Sequence, residues 1–324
     1  MSQDFAPEAV VRWTINLILA GTEPRFLDSR FNEPSKIDGT VMYLSTREGA
    51  RLLESGWFCP TTDGAGSHRL TAEGIRYGLD LVGHPTFDVR PLIEAVLSMA
   101  LFCPAPEIDG RTAIPAIYTP GSSKLVLVLG ENASGKSLFR RAASLAVHQG
   151  RVSSYEGRAI PRGAFPMSEF IGLSMQGRSG QYSSMIYGDE SRSSTGENSA
   201  RAVTMGIQTA TNRRLTHALY WDEPDIGMTA GLAAGAGMAI RAFIQTDTPL
   251  TQAVFVTTHS EALVRVLMEC DPHYIYLGDA EGPRTLEQWL AQQSNPTPIL
   301  PDEIQGRARA RYRDIQLVLN GFGK

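Results

Sequence analysis

A glycine-rich turn near the middle of the chain has the residue types and the spacing that hold a phosphate group. Its pattern is G-x-x-x-x-G-K-[ST], formed by Gly130, Glu131, Asn132, Ala133, Ser134, Gly135, Lys136 and Ser137. Glycines let consecutive backbone N–H groups point at one anion, because side chains would obstruct them. Lys136 would reach the β- and γ-phosphates of a nucleoside triphosphate, and Ser137 would hold Mg²⁺. The alternative is a chance glycine-rich turn, but Lys136 is one of only four lysines in the chain.

The segments on either side of this turn are the ones that such a site requires. Residues 125–129 are aliphatic and predict a buried strand, and residues 138–148 predict a helix. The positive end of the helix dipole would add to the attraction for an anion. The sequence therefore predicts a strand, loop and helix that together bind a nucleoside triphosphate.

Two carboxylates follow a second predicted strand, at residues 215–221, which are mostly apolar. Beside a phosphate loop, Asp222 would join the Mg²⁺ shell and Glu223 would polarise an attacking water as a general base. His259 follows a third predicted strand, at residues 253–258, and could reach the edge of the γ-phosphate. Away from a phosphate loop, the same residues would be an acidic turn and a structural histidine.

Composition and charge exclude several classes of protein. Residues 1–105 hold 13 acidic and 9 basic side chains and the remainder holds 21 of each, so neither part has the basic excess of a strong nonspecific nucleic-acid binder. The three cysteines lie far apart, which predicts free thiols in a reducing compartment. No signal-peptide pattern is present and the small-apolar run at residues 228–240 is too short for a bilayer, so we expect a cytoplasmic protein without a membrane partner.

Residues 1–105 predict a small, mainly helical domain in which residues 22–40 form a loop or a short helix. Residues 40–82 resemble a winged helix-turn-helix domain, because a helix, an extended piece, a glycine-rich turn, a second extended piece and another helix follow in that order. Arg47 and Arg51 would lie near a DNA-contacting face. The net negative charge of this domain favours the alternative, which is contact with a protein.

Taken in order, the motifs of residues 110–280 resemble those of the ABC ATPase family. They are the Walker A loop at 130–137, Gln176 or Gln181 as the Q-loop glutamine, the signature Ser194-Thr195-Gly196-Glu197, the Walker B strand at 219–223 with Glu223, and the switch histidine His259. The signature S-x-G-E differs from the L-S-G-G-Q of transporters. It is similar to the branch that includes chromosome-maintenance, DNA-repair and bacterial defence ATPases. Only 57 residues separate Lys136 from Ser194, which leaves no room for a long coiled-coil arm.

The resemblance implies an α/β fold: a P-loop ABC-ATPase head with a mixed sheet flanked by helices at residues 106–324, preceded by the winged-helix-like domain at residues 1–105. It implies Mg²⁺-dependent ATP hydrolysis. The catalytic residues would be Glu223, His259 and Lys136, and Mg²⁺ would be held through Ser137, Gln176 and Asp222. Further contacts to ATP would come from Ser194, Gly196 and Glu197, which in the family meet the γ-phosphate bound by the other subunit.

ATP would therefore join two copies of the chain as a homodimer, and hydrolysis would loosen it. The output would pass to a soluble effector protein or to nucleic acid, in DNA maintenance or antiphage defence. One alternative is the nucleotide-binding subunit of a transporter, which the signature disfavours. Another is a transcription regulator whose winged helix is gated by ATP.

Two further features leave alternatives open. Tyr118 lies upstream of the loop and would either stack on adenine or belong to the core. Four arginines at every second position of a predicted helix at residues 302–320 spread around its circumference, which favours a solvated helix over a nucleic-acid patch.

Overall fold

The structure is a computed structural model that describes residues 6–28, 36–61, 68–83, 88–99, 101–102, 114–149, 167–174, 194–294, 296 and 298–321. It is a mixed α/β protein whose main feature is a six-stranded mixed sheet flanked by helices. Gln176 and Gln181 lie outside the described residues, so the predicted Q-loop stays a prediction.

The residues before position 84 form a unit with its own core. Its elements are helices α1 (Pro7–Leu19), α2 (Thr46–Glu54) and α3 (Ala72–Leu81) and strands β1 (Arg25–Asp28), β2 (Lys36–Asp38), β3 (Val41–Leu44), β4 (Phe58–Pro60) and β5 (His68–Leu70). Strand β3 pairs with β1 in parallel and with β2 antiparallel, and β4 pairs with β5 antiparallel. Strands therefore occupy part of residues 22–40, where the sequence predicted a loop or short helix. Such short strands bury few residues, Phe26 in β1 among them, so they leave little periodicity to read.

The helix-strand-strand-helix order predicted for residues 40–82 is present as α2, β4, β5 and α3. Helix α2 begins with a capping box in which the Glu48 side chain accepts a hydrogen bond from the Ser45 backbone N–H at 3.0 Å. Helix α3 begins at Thr71, whose hydroxyl accepts from the Gly74 N–H at 3.1 Å. Contact of this unit with DNA stays a prediction.

The large sheet places the carboxyl ends of five parallel strands at one edge. Its strands are β6 (Ala116–Thr119), β7 (Leu125–Gly130), β8 (Glu169–Ser174), β9 (His217–Asp222), β10 (Thr251–Thr257) and β11 (His273–Leu277), in the order β6-β11-β7-β10-β9-β8. Only β6 is antiparallel to its neighbour. In the register, Thr257 lies opposite Asp222 and Leu277 lies opposite Gly130. The ends of β7, β9 and β10 therefore meet at the same edge.

Helices cover both faces of this sheet. They are α4 (Arg90–Leu97), α5 (Lys136–Gln149), α6 (Thr195–Asn212), α7 (Ala230–Gln245), α8 (Glu261–Leu267), α9 (Leu286–Ser294) and α10 (Pro301–Gly321). Every residue of β7 is buried: Val126 and Val128 pack with α4 and α5, and Leu125, Leu127 and Leu129 pack with α7 and α8 on the other face. Burial on both faces explains why β7 is a continuous aliphatic run.

Helix α4 belongs to the core of the large sheet. Leu92, Ile93 and Val96 are fully buried there together with Phe139 of α5. The core of the large sheet therefore begins upstream of residue 106, where the sequence analysis divided the chain. Among the described residues, no helix is long and apolar enough to cross a membrane.

Candidate functional site

The phosphate-loop residues form a tight turn between β7 and α5. Gly130 and Gly135 have positive φ angles of 148° and 109°, and Ala133 has a φ of 62°. A Cβ on Gly130 would lie 2.4 Å from the Leu277 carbonyl oxygen, so only glycine fits without a shift of the backbone. At Gly130, the loop therefore has backbone without a side chain at the carboxyl end of β7.

Lys136 turns back from the first turn of α5 into this loop. Its Nζ donates to the carbonyl oxygens of Gly130 at 2.9 Å and Glu131 at 3.0 Å, and it lies 2.9 Å from Nε2 of His259. The side chain is buried, and burial lowers the pKa of Lys136 to about 8. An ammonium group held in this way can exchange carbonyl oxygens for the oxygens of an anion.

Asp222 and Glu223 lie at the tip of β9, next to β10, as the strand order requires. The buried hydroxyl of Thr257 donates to Oδ1 of Asp222 at 2.7 Å, and the other carboxylate oxygen lies 3.7 Å from Nη1 of Arg140. Glu223 has a positive φ of 52°, and its N–H donates to the Thr257 carbonyl oxygen at 3.0 Å. Strand β10 therefore fixes the carboxylate of Asp222 and the backbone of Glu223.

Glu223, His259 and Lys136 converge on one point. Oε1 of Glu223 lies 3.5 Å from Nε2 of His259, the same nitrogen that contacts Lys136. Interaction with His259 is the largest cause that lowers the pKa of Glu223, and the charge of Lys136 acts in the same direction. The Glu223 carboxylate is therefore ionised at neutral pH.

Nε2 of His259 can form a hydrogen bond with only one of its two neighbours, Lys136 and Glu223, at a time. A protonated Lys136 can only donate, so Nε2 accepts while that contact holds, whereas donation to Glu223 requires a proton on Nε2. The position of this proton therefore depends on where the Lys136 ammonium points.

The signature residues begin helix α6. Ser194 and Glu197 form a capping box, in which the Ser194 N–H donates to Oε2 of Glu197 at 2.7 Å and the Glu197 N–H donates to Oγ of Ser194 at 3.3 Å. Both side chains are exposed, and the capping interaction lowers the pKa of Glu197. Within one chain, Ser194 and Glu197 therefore cap helix α6.

The start of α6 packs directly on the turn that follows Glu223. A Cβ on Gly196 would lie 2.6 Å from the Gly227 carbonyl oxygen, and Oγ of Ser199 donates to the Ile226 carbonyl oxygen at 2.8 Å. The structure thus brings Lys136, Asp222, Glu223 and His259 together, and it joins Gly196 to them through this turn. Ser137 is exposed in the first turn of α5.

Sequence reasoning missed several residues that hold this site. Thr257 fixes Asp222, and Thr258 donates to Oδ1 of Asp225 at 2.6 Å, an acid whose pKa is raised by burial. Arg140 carried a usable signal, because it lies one helical turn after Lys136 and so on the same face of α5. The threonines carried none, since hydroxyls at the end of an apolar strand are common.

Two arginines of α10 contact the loop and the adjacent end of β11. Nη1 of Arg307 donates to Oε2 of Glu131 at 2.8 Å, and Nη2 of Arg311 donates to the Gly278 carbonyl oxygen at 2.6 Å. Arg309 and Arg313 are exposed. One face of α10 therefore packs beside the loop.

Tyr118 contacts the histidine at the other end of β11. Its hydroxyl lies 2.9 Å from Nδ1 of His273 and the two rings are stacked, whereas the loop adjoins Leu277. This position favours a core role for Tyr118 over contact with adenine.

Comparisons with known proteins do not identify a function for this site. No protein-family model matches the chain, and no curated protein matches it. Among solved structures, the chain is similar to one from the HORMA:CdnC:Trip13 complex of E. coli MS115-1, with 15% sequence identity and a TM-score of 0.28. The match covers 58% of this chain and 58% of that one. At that TM-score the similarity supports no conclusion about fold or activity.

Proposed function

We propose that this protein is an ATPase of the ABC type, which binds ATP and Mg²⁺, closes as a homodimer across ATP and opens after hydrolysis. The observation that carries the proposal is the convergence of Lys136, Glu223 and His259 beside a glycine-rich loop, at the carboxyl ends of the parallel strands of the mixed sheet. Such an edge is where open α/β sheets bind ligands.

The residues present fit a triphosphate and Mg²⁺. Oγ of Ser134 is buried and has no hydrogen-bond partner among the described residues, which leaves a donor for an anion in the loop. Lys136 supplies the positive charge, and Ser137 and Asp222 supply oxygen ligands of the kind that Mg²⁺ prefers. Charge neutralisation on the phosphate oxygens is the chemistry that bound Mg²⁺ would supply.

Lys136, His259 and Glu223 can each have a separate role in hydrolysis. Lys136 would exchange its contacts with Gly130, Glu131 and His259 for contacts with phosphate oxygens. This exchange would free Nε2 of His259. His259 could then carry a proton on Nε2 and donate a hydrogen bond to Glu223 or to a phosphate oxygen. The ionised Glu223 would orient the attacking water, and its lowered pKa keeps it ionised well below neutral pH.

The signature residues suit an interface between two copies. Ser194, Thr195 and Glu197 are exposed at the amino end of α6, an 18-residue helix whose dipole favours an anion there. The γ-phosphate held by a second copy would supply that anion. ADP lacks this phosphate, so the dimer would separate after hydrolysis. A soluble effector protein or nucleic acid would then sense the two states.

Glu223→Gln tests the proposal. We expect it to slow phosphate release by about 10²- to 10⁴-fold, the usual contribution of a general base, and to accumulate as a dimer in ATP and Mg²⁺. Light scattering in ATP and in ADP measures the dimer. Glu287→Gln, an exposed site on α9, is the matched control and should behave as the wild type.

Two results would contradict the proposal in different ways. A Glu223→Gln protein that stays monomeric in ATP, as in ADP, refutes the ATP-linked dimer. A wild-type protein that releases no phosphate from ATP and Mg²⁺ under any condition refutes the ATPase itself.

A further inference from the structure

Two adjoining cavities lie beside the phosphate loop, on its β11 side. Their volumes are about 460 and 390 Å³, and both are lined by Glu131, Asn132, Tyr276, Asp279 and Arg307. Ligand pockets for small molecules span roughly 300 to 1,000 Å³, so the space can hold the non-phosphate part of a nucleotide. The first cavity also reaches Gly130 and His259, which connects it to the proposed phosphate site.

Arg307 lines both of these cavities. It donates to Glu131 in the loop at 2.8 Å and to Glu303 one helical turn earlier at 2.7 Å, and its side chain is 52% exposed. Exposed ion pairs of this kind contribute little to stability, so they do not by themselves explain the position of Arg307. Half of the Arg307 side chain therefore remains exposed although it forms both ion pairs.

The walls suit a nucleoside better than a simple anion. Tyr276 lines both cavities and is 6% exposed, and burial raises its pKa to about 12, so it stays neutral. Asp279 and the side chains of Gln292 and Gln293 contribute acceptors and donors that suit hydroxyl and amino groups. Three acids, Glu131, Asp279 and Glu281, line this space and disfavour the binding of phosphate groups there.

We infer that the nucleoside of the triphosphate lies between the phosphate loop and α10, with its base against the guanidinium of Arg307. This inference rests on the proposed function, because it takes the triphosphate to be held by the loop. Guanidinium groups stack on flat aromatic systems, which an ammonium group does less well. Arg307 would thus be a residue that distinguishes a nucleotide from a bare polyphosphate.

Arg307→Ala tests this assignment when ATP is compared with inorganic tripolyphosphate, which has the phosphates but no nucleoside. Isothermal titration of the full chain gives a Kd for each ligand. The substitution should raise the Kd for ATP by about 2- to 30-fold, the range from an exposed to a desolvated cation–π contact. Arg309→Ala, on the exposed side of α10, removes the same charge and corrects for long-range attraction. Relative to that control, the Kd for tripolyphosphate should not change.

Glu131→Gln separates a base contact from a structural effect of the Arg307–Glu131 ion pair. It breaks the ion pair but keeps the guanidinium, so the ratio of the two Kd values should remain that of the wild type. Arg307→Gln serves as a second variant if Arg307→Ala does not fold, as judged by circular dichroism, and it should change the ratio in the same direction.

Several outcomes would overturn the inference. Equal weakening of both ligands by Arg307→Ala would make Arg307 a phosphate or loop contact, and no change in either would remove it from the site. A Glu131→Gln protein with the altered ratio would assign the effect to the ion pair. A wild-type protein that binds tripolyphosphate but gains nothing from the nucleoside overturns this inference alone, whereas one that binds neither ligand overturns the proposed function as well.

Discussion

Gly130→Ala should destabilise the protein because the end of β7 has no room for a side chain. A Cβ at this position would lie 2.4 Å from the Leu277 carbonyl oxygen and 2.6 Å from Oγ of Ser134. The Ser134 hydroxyl can rotate away. The Leu277 carbonyl belongs to β11, which pairs with β7 at this point, so it can move only with the sheet.

The size of the effect follows from two contributions. Gly130 has a φ of 148°, and an alanine held in such a region costs about 1 to 3 kcal/mol. Overpacking against a fixed backbone atom costs about 1 to 3 kcal/mol more. We therefore expect the free energy of unfolding to fall by about 2 to 6 kcal/mol, a large part of the 5 to 15 kcal/mol that is usual for a domain.

The same substitution at Gly235 should have the opposite sign. Gly235 is exposed inside helix α7, and a Cβ there would meet nothing within 4 Å. Alanine is better than glycine in a helix by roughly 0.5 to 1 kcal/mol, so Gly235→Ala should stabilise the protein slightly.

Urea denaturation followed by circular dichroism measures both variants in the absence of nucleotide. A Gly130→Ala protein within about 0.5 kcal/mol of the wild type, the usual scatter of a harmless surface change, would refute the tight loop geometry. A loss at Gly235 equal to that at Gly130 would show that the measurement reports a general effect of alanine.

Two further predictions concern the site. Ser194→Ala removes the capping box with Glu197, which should cost about 0.5 to 2 kcal/mol in urea denaturation and weaken the ATP-linked dimer in light scattering. Burial lowers the pKa of Lys136 and of Lys124 to about 8, so the unfolded chain binds more protons above that pH and the free energy of unfolding should rise with pH. Lys136→Met should remove up to about 1.4 kcal/mol per pH unit of this rise between about pH 8 and 9.5, leaving the part due to Lys124; an unchanged slope would contradict it.

The local structure around the loop could be predicted from the sequence because its signals are short in range. The aliphatic run that becomes β7 and the first turn of α5 at Lys136 lie within a dozen residues, and strand, turn and helix patterns act over that distance. Helix α6 begins inside the predicted signature, at the Ser194 cap. Boundaries of this kind depend on side-chain hydrogen bonds that a pattern of apolar residues does not contain.

The order of the strands could not be predicted in the same way. Strand β10 follows β9 in the chain but lies between β9 and β7, and this insertion brings Thr257 to Asp222 and His259 to Lys136. Pairing between strands is decided by long-range packing, and apolar patterns predict where strands end but not which strands are neighbours. The packing of α4 on the large sheet and of Arg307 on the loop depends on contacts across many residues in the same way.

Glu223 and the signature are linked within each chain by a turn with little freedom. The Ile226 N–H donates to the Glu223 carbonyl oxygen at 3.3 Å, and the Ile226 carbonyl oxygen accepts from Ser199 of α6 at 2.8 Å. Gly196 leaves no space between α6 and Gly227, because a Cβ there would lie 2.6 Å from the Gly227 oxygen. A shift of Glu223 would therefore displace the start of α6 rather than be absorbed by the turn. In the proposed dimer, the signature of one chain would bind the phosphate held by the other chain. It would also move with Glu223 of its own chain, so the two sites would be coupled through this turn.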